Sequence, residues 1–363
     1  NKDMEKCMLS KLSIKQKLIL IMLIPLFVVI LLAAKLAIDS FSTSKNLKDL
    51  DNVVVLSVKI GDLVHETQKE RGMTAGFLGS NGEKFKIELP AQRLVVDEKF
   101  KELNAFLSTF DKDVYSSEFL ENLNNSLKKL QDLNNNRTGV NNLSINTGVA
   151  IAYYTDTISL LLNTVGTITK LSNSAKVSQE LVSYMSFLLS KERAGIERAV
   201  GTNTFAKNSF GEGMKARLYT LVAEQNAYMD TFLKVSSLEM VNFYKKTLQG
   251  ESIIEVDKMR KTLLYSNIES NFGVDANYWF KQMTDKINIL KKIEDNLSKN
   301  LIQTIENEMS EANQNMIVFG LLSVFGVALT MILARTIAFT ILIDVDSVKR
   351  GVENFFAFIN FEK

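Results

Sequence analysis

The sequence predicts an all-α protein, with two membrane-spanning helices flanking an external segment of two packed, related helical bundles. Three observations carry this reading. The 363 residues contain only two prolines, so helices can run long and turn-rich β folds are disfavoured. Two long apolar stretches lie towards the two ends of the chain. Between them, apolar residues recur at the spacing of one helical face.

In chain order, residues 1–16 read as a cytoplasmic stub and 17–38 as the first membrane helix, built on LILIMLIPLFVVILLAA (18–34). The following AAKLAIDS continues the helical pattern with no small-residue cleavage site, which argues against a signal peptide. Residues 39–314 form the external segment, with halves at about 40–173 and 174–314. Residues 315–335 form the second membrane helix, built on MIVFGLLSVFGVALTMILA (316–334). With its flanks, each stretch is long enough to cross a hydrocarbon core of about 30 Å. Lys11, Lys15 and Lys17 precede the first span, and Arg335, Lys349 and Arg350 follow the second. The positive-inside rule then places both ends in the cytoplasm and the segment between them outside, periplasmic in a bacterium with two membranes.

Within the external segment, Leu56, Ile60, Leu63, Val64 and Leu78 share one face of a helix. Met283, Ile287, Leu290, Leu297, Leu301 and Ile305 continue without Gly or Pro to the membrane. This predicts one helix from about Asp275 through the second span, about 60 residues and about 90 Å long. Loops are expected at 79–90, 134–139, 201–213 and 271–273, where glycine and polar residues cluster. More than four helices follow.

Composition excludes several functions. A net charge of +2 offers no basic excess for nucleic acid. One cysteine, Cys7, and one histidine, His65, make neither an intrachain disulfide nor a zinc site, and no metal or cofactor is expected. His65-Glu66 followed by Glu70 lacks the second histidine of a metalloprotease helix. With no nucleophile–base pair or phosphate loop either, the chain is read as no enzyme.

An internal repeat orders the helices. NNLSINTGVAIAYY (141–154) matches SNIESNFGVDANYW (266–279) at an offset of 125 residues, and KERGMTAGFLGS (69–80) matches KERAGIERAVGT (191–202) at 122. Positions seven and eleven residues apart on a helix share nearly one azimuth. Arg71 therefore lies over Ile60 and Val64, and Arg193 aligns with Val182, Leu189 and Val200. Arg198 follows Lys191 and Ala194, a more polar face, and ranks second. An arginine facing a core must be paired or bind an anion, because a lone buried charge is costly. Two readings stay open: salt bridges to Glu70, Glu192 or Glu197 or snorkelling of the guanidinium to water, against two equivalent arginines converging on one small anion. Gly76, Gly79 and Gly201 are read as helix ends.

LVHETQKERGMTAGFLGS, YYTDTISLLL, LLSKERAGIERAVGTNTFA and YWFKQMTDKINILKKIEDNL, in this order, resemble the nitrate- and nitrite-sensing (NIT) domain of bacterial receptors. The resemblance covers about Asn52 to Glu308. It implies an all-α fold of two packed bundles and a nitrate or nitrite ligand held by arginines of the two motifs, Arg71 and Arg193, with Arg198 second. Nitrate is planar with three acceptor oxygens, which suits the planar donor fork of arginine better than lysine. Two facing guanidiniums repel when the site is empty, and an anion between them reverses that repulsion.

The layout of basic stub, span, large external domain and second span is similar to that of methyl-accepting chemotaxis receptors. It implies a homodimer in the inner membrane, in contact with lipid. Signal would pass to a cytoplasmic chemotaxis kinase and adaptor through a C-terminal region that the chain lacks. Residues 336–363 resemble the start of a HAMP-type linker, without the usual proline shortly after the membrane. The alternatives are the input module of a sensor histidine kinase or cyclic-nucleotide enzyme, and a structural membrane protein whose arginines only form salt bridges.

Overall fold

In a computed structural model, residues 14–170, 172, 174–265 and 270–359 are described. Lys11, with most of the stub, and Asn267 and Ile268 of the repeat lie outside the described residues. The architecture is all-α. The helices are α1 (Ile14–Gly79), α2 (Glu88–Leu107), α3 (Ser117–Gln131), α4 (Leu133–Asn141), α5 (Thr147–Ile168), α6 (Ala175–Lys207), α7 (Met214–Val235), α8 (Leu238–Thr247), α9 (Glu251–Tyr265) and α10 (Ala276–Ile359). Several starts are fixed by short polar side chains. Ser116, Asn146, Ser174 and Ser237 accept hydrogen bonds from the backbone N–H groups of Phe119, Val149, Val177 and Met240. Among the described residues no strand forms, and one isolated bridge joins Ser209 to Ser270.

Two compact units divide the chain. One comprises residues 1–46 and 308–363. Its parts of α1 and α10 are long and apolar enough to cross a membrane, and they expose Phe27, Leu32, Leu322 and Phe325.

The other unit, residues 47–307, buries its apolar faces. Leu56, Ile60 and Leu63 from α1, Phe187 from α6, and Trp279, Met283 and Ile287 from α10 are all inaccessible or nearly so. Each such side chain stabilises the fold by about 1.5–3 kcal/mol relative to exposure. Gly61 faces Tyr184, Gln68 meets Glu192, and Gly72 faces Arg198, so α1 and α6 run parallel. Glu180 meets Thr304, Lys191 meets Glu294, and Arg198 meets Thr284, so α10 runs antiparallel to α6.

One expected loop is helical instead, and another is helical over its first half. Residues 134–139 lie in α4, and residues 201–207 complete α6. Their glycines serve close packing rather than turns. A Cβ on Gly139 would stand 2.9 Å from Ile145, and one on Gly201 would stand 2.5 Å from Trp279. Gly76 likewise lies inside α1, because the Phe85 ring occupies the space a Cβ would need, 2.3 Å away. Only Gly79 ends its helix.

Candidate functional site

The Glu-Arg pairs at 70–71 and 197–198 are fully buried and build the candidate site. Glu70 and Glu197 are 0% exposed, and each is gripped by an arginine of its own half. Arg137 donates through Nε and Nη2 to Glu70 at 2.8 Å each, and Arg260 does the same to Glu197 at 2.6 and 2.7 Å. A third donor completes each carboxylate: the Tyr154 hydroxyl on Glu70 and Gln225 Nε2 on Glu197, both at 2.8 Å. Burial alone would raise the Glu197 pKa, but the charge and hydrogen bonds of Arg260 hold it below its ordinary value. Forked pairs of this kind fix the rotation of α1 and α6. The next residue in each helix, Arg71 or Arg198, is thereby aimed at the contact between them.

Both arginines are 1% exposed, and each lies against a glycine of the opposite helix. A Cβ on Gly195 would stand 2.8 Å from Arg71 Nη2, and a Cβ on Gly72 would stand 2.9 Å from Arg198 Nη2. Their partners differ. Arg71 donates to both oxygens of Glu192, at 2.7 and 3.2 Å, and to Thr155 Oγ1 at 3.1 Å. Gln68 Nε2 donates to Glu192 at 2.6 Å. Among the described residues, Arg198 donates to neutral acceptors only, Thr284 Oγ1 at 3.0 Å and the Gln68 carbonyl at 2.8 Å. The Phe280 ring covers it at 4.9 Å, and Phe85 packs against Phe280 at 5.3 Å. Among the described residues, Arg198 Nε has no hydrogen-bond partner. Burial, then the neighbouring charge of Arg71, lowers the Arg198 pKa to about 9, so it stays cationic at neutral pH. Arg71, Glu192 and Arg198 together leave one positive charge uncompensated. A buried site of that charge attracts one monovalent anion.

Of the residues singled out in the sequence, Arg71 and Arg198 are brought together and Arg193 is not. Arg193 does not point into the core as its apolar stripe predicts. Its side chain is 23% exposed, pairs with Glu224, and sits over the Tyr228 ring at 5.5 Å. Its supposed stripe is also partly open, since Val182 is exposed and Leu189 and Val200 are half-buried. The contacts favour another pairing of the halves: Glu70-Arg71 and Glu197-Arg198 each combine a carboxylate forked by an arginine of its own half with an arginine set against a glycine of the facing helix. The signal in the sequence was the small-residue run after both, GMTAG and AVGTN. The salt-bridge alternative is realised for Arg71, through Glu192.

The fold and this centre define a class: all-α domains that bury a net-cationic site between two repeated helices. A family model described as nitrate and nitrite sensing matches residues 62–302, and the chain belongs to this family. The nitrate regulatory protein of Klebsiella oxytoca is 26% identical over 261 residues, 71% of this chain and 65% of the relative. The chain thus spans just under two thirds of that relative's length. Among solved structures, the NasR transcription antiterminator matches with a TM-score of 0.69 at 23% identity, over 79% of this chain and 82% of that one. That likeness shows the fold.

Proposed function

We propose that the chain is a transmembrane receptor whose segment 47–307 senses nitrate or nitrite outside the cytoplasmic membrane. The carrying observation is Arg198: buried, without a carboxylate partner among the described residues, and with an unpartnered Nε beside a second buried arginine. A planar monovalent oxyanion supplies the missing acceptors and charge. In this arrangement each guanidinium lies directly on the facing helix backbone, so an anion settles between α1 and α6 only as their spacing changes. The ligand then favours the arrangement it binds better, a population shift. Both α1 and α10 are continuous with apolar stretches, which supports readout through the membrane. Coupling to a chemotaxis kinase and adaptor as a homodimer is the output we favour.

The test is thermal unfolding of the detergent-solubilised chain with sodium nitrate, nitrite, sulfate or chloride. A ligand at a hundred times its dissociation constant adds about 2.7 kcal/mol of stability. Nitrate or nitrite should raise the midpoint well beyond chloride at equal ionic strength. Equal shifts for all four salts would refute the reading. For orientation, an alkaline phosphatase fusion at Gly250 should be active and one at Glu353 inactive.

A further inference from the structure

The two halves are not equivalent at the position that decides the charge of the site. The register that superposes Glu70-Arg71 on Glu197-Arg198 sets His65 opposite Glu192. In one half that position carries the carboxylate that Arg71 holds with both terminal nitrogens. In the other it carries a buried imidazole whose Nδ1 has no hydrogen-bond partner among the described residues. Burial and the surrounding cations, Lys191, Lys291, Lys69 and Arg198, keep that imidazole neutral.

We propose that Glu192 is the resident anion of the site and sets its selectivity, and that His65 at the equivalent position is what leaves Arg198 open to a ligand. This rests on the anion-sensing reading above and adds to it the reason for a single, singly charged ligand. A carboxylate and a nitrate offer an arginine the same planar pair of oxygens. Arg71 already holds one such group, locked in place by Gln68. One external monoanion on Arg198 neutralises the centre. A dianion such as sulfate would leave a buried negative charge, which is costly without further donors.

The experiment is calorimetric titration of the full chain in detergent with sodium nitrate and sodium sulfate, for wild type, Glu192→Gln and His65→Glu. Helix content and melting are measured in parallel. Wild type should bind nitrate and exclude sulfate. Glu192→Gln removes the resident charge, and should bind nitrate about tenfold more tightly and admit sulfate. His65→Glu gives Arg198 its own carboxylate, and should lose at least about tenfold in nitrate affinity while staying helical. Weaker nitrate binding, or continued exclusion of sulfate, in a folded Glu192→Gln would overturn the proposal. Should Glu192→Gln fail to fold, since it strips buried Arg71 of its counter-charge, His65→Glu decides: unchanged nitrate affinity overturns the idea and lost affinity supports it. Wild type that binds no nitrate would sink the sensing reading and this inference together. Wild type that binds nitrate beside variants of unchanged selectivity would sink this inference alone.

Discussion

Arg198 rests on Gly72 so closely that a Cβ there would lie 2.9 Å from its Nη2. Gly72 is an interior residue of α1, where alanine is ordinarily better by about 1 kcal/mol. Gly72→Ala therefore separates folding from binding: the helix gains propensity while the guanidinium is pushed off its seat. Melting should change by no more than a few degrees, and nitrate affinity should fall at least about tenfold. A Gly72→Ala protein that titrates like wild type would show that the seat is immaterial.

Glu197 is fully buried, and its charge is balanced by Arg260. Breaking a buried pair by removing one partner costs about 3–5 kcal/mol, because the survivor stays buried and unpaired. Glu197→Gln should lose that much in urea unfolding followed by circular dichroism. Glu118→Gln, which breaks the exposed pair with Lys170, should lose less than about 1 kcal/mol. Equal losses in the two variants would contradict a central role for the buried fork.

His65 is the single histidine of the chain. Burial first, then Lys191, Lys291, Lys69 and Arg198, pushes its pKa down from 6.5 to about 2. The unfolded chain thus takes up a proton near pH 6.5 that the folded chain refuses. Its contribution to stability is full above that pH and shrinks below it, by up to about 1.4 kcal/mol per pH unit. Between pH 6.5 and 5 the melting temperature of wild type should fall more steeply than that of His65→Gln. Parallel curves would mean that the imidazole is protonated in the fold.

Much of the architecture was legible because it rests on local signals. Two prolines and the apolar runs predict one long helix from about Asp275 through the second apolar stretch, which α10 contains and extends to Ile359, and the stripe through Ile60 and Val64 places Arg71 in the core, where it lies. In the sequence, Lys191 makes the face of Arg198 look polar. Lys191 is in fact buried, and its partner Glu294 is 103 residues away, a pairing that periodicity does not reveal. Residues 134–139 look like a loop for a related reason. Arg137 is drawn into α4 by Glu70 from another helix, and Gly139 is there to admit Ile145. The repeated Lys-Glu-Arg trio is the stronger identity in the sequence, whereas the packing follows the weaker likeness at 197–198.

The proposed site places the ligand on Arg198 beside the Arg71–Glu192 pair, with Arg193 outside it. Calorimetric titration of nitrate into Arg71→Ala, Arg193→Ala and Arg198→Ala forms of the chain tests it most directly. A hydrogen bond to a charged group contributes about 1.5–3 kcal/mol, so loss of the Arg198 guanidinium should weaken binding at least tenfold; loss of Arg71 leaves Glu192 to neutralise Arg198 and should weaken it as well. Arg193→Ala should bind within about twofold of wild type, since its side chain is taken up by Glu224 and Tyr228. A folded Arg198→Ala protein that keeps wild-type affinity, beside an Arg193→Ala protein that loses it, would contradict the account.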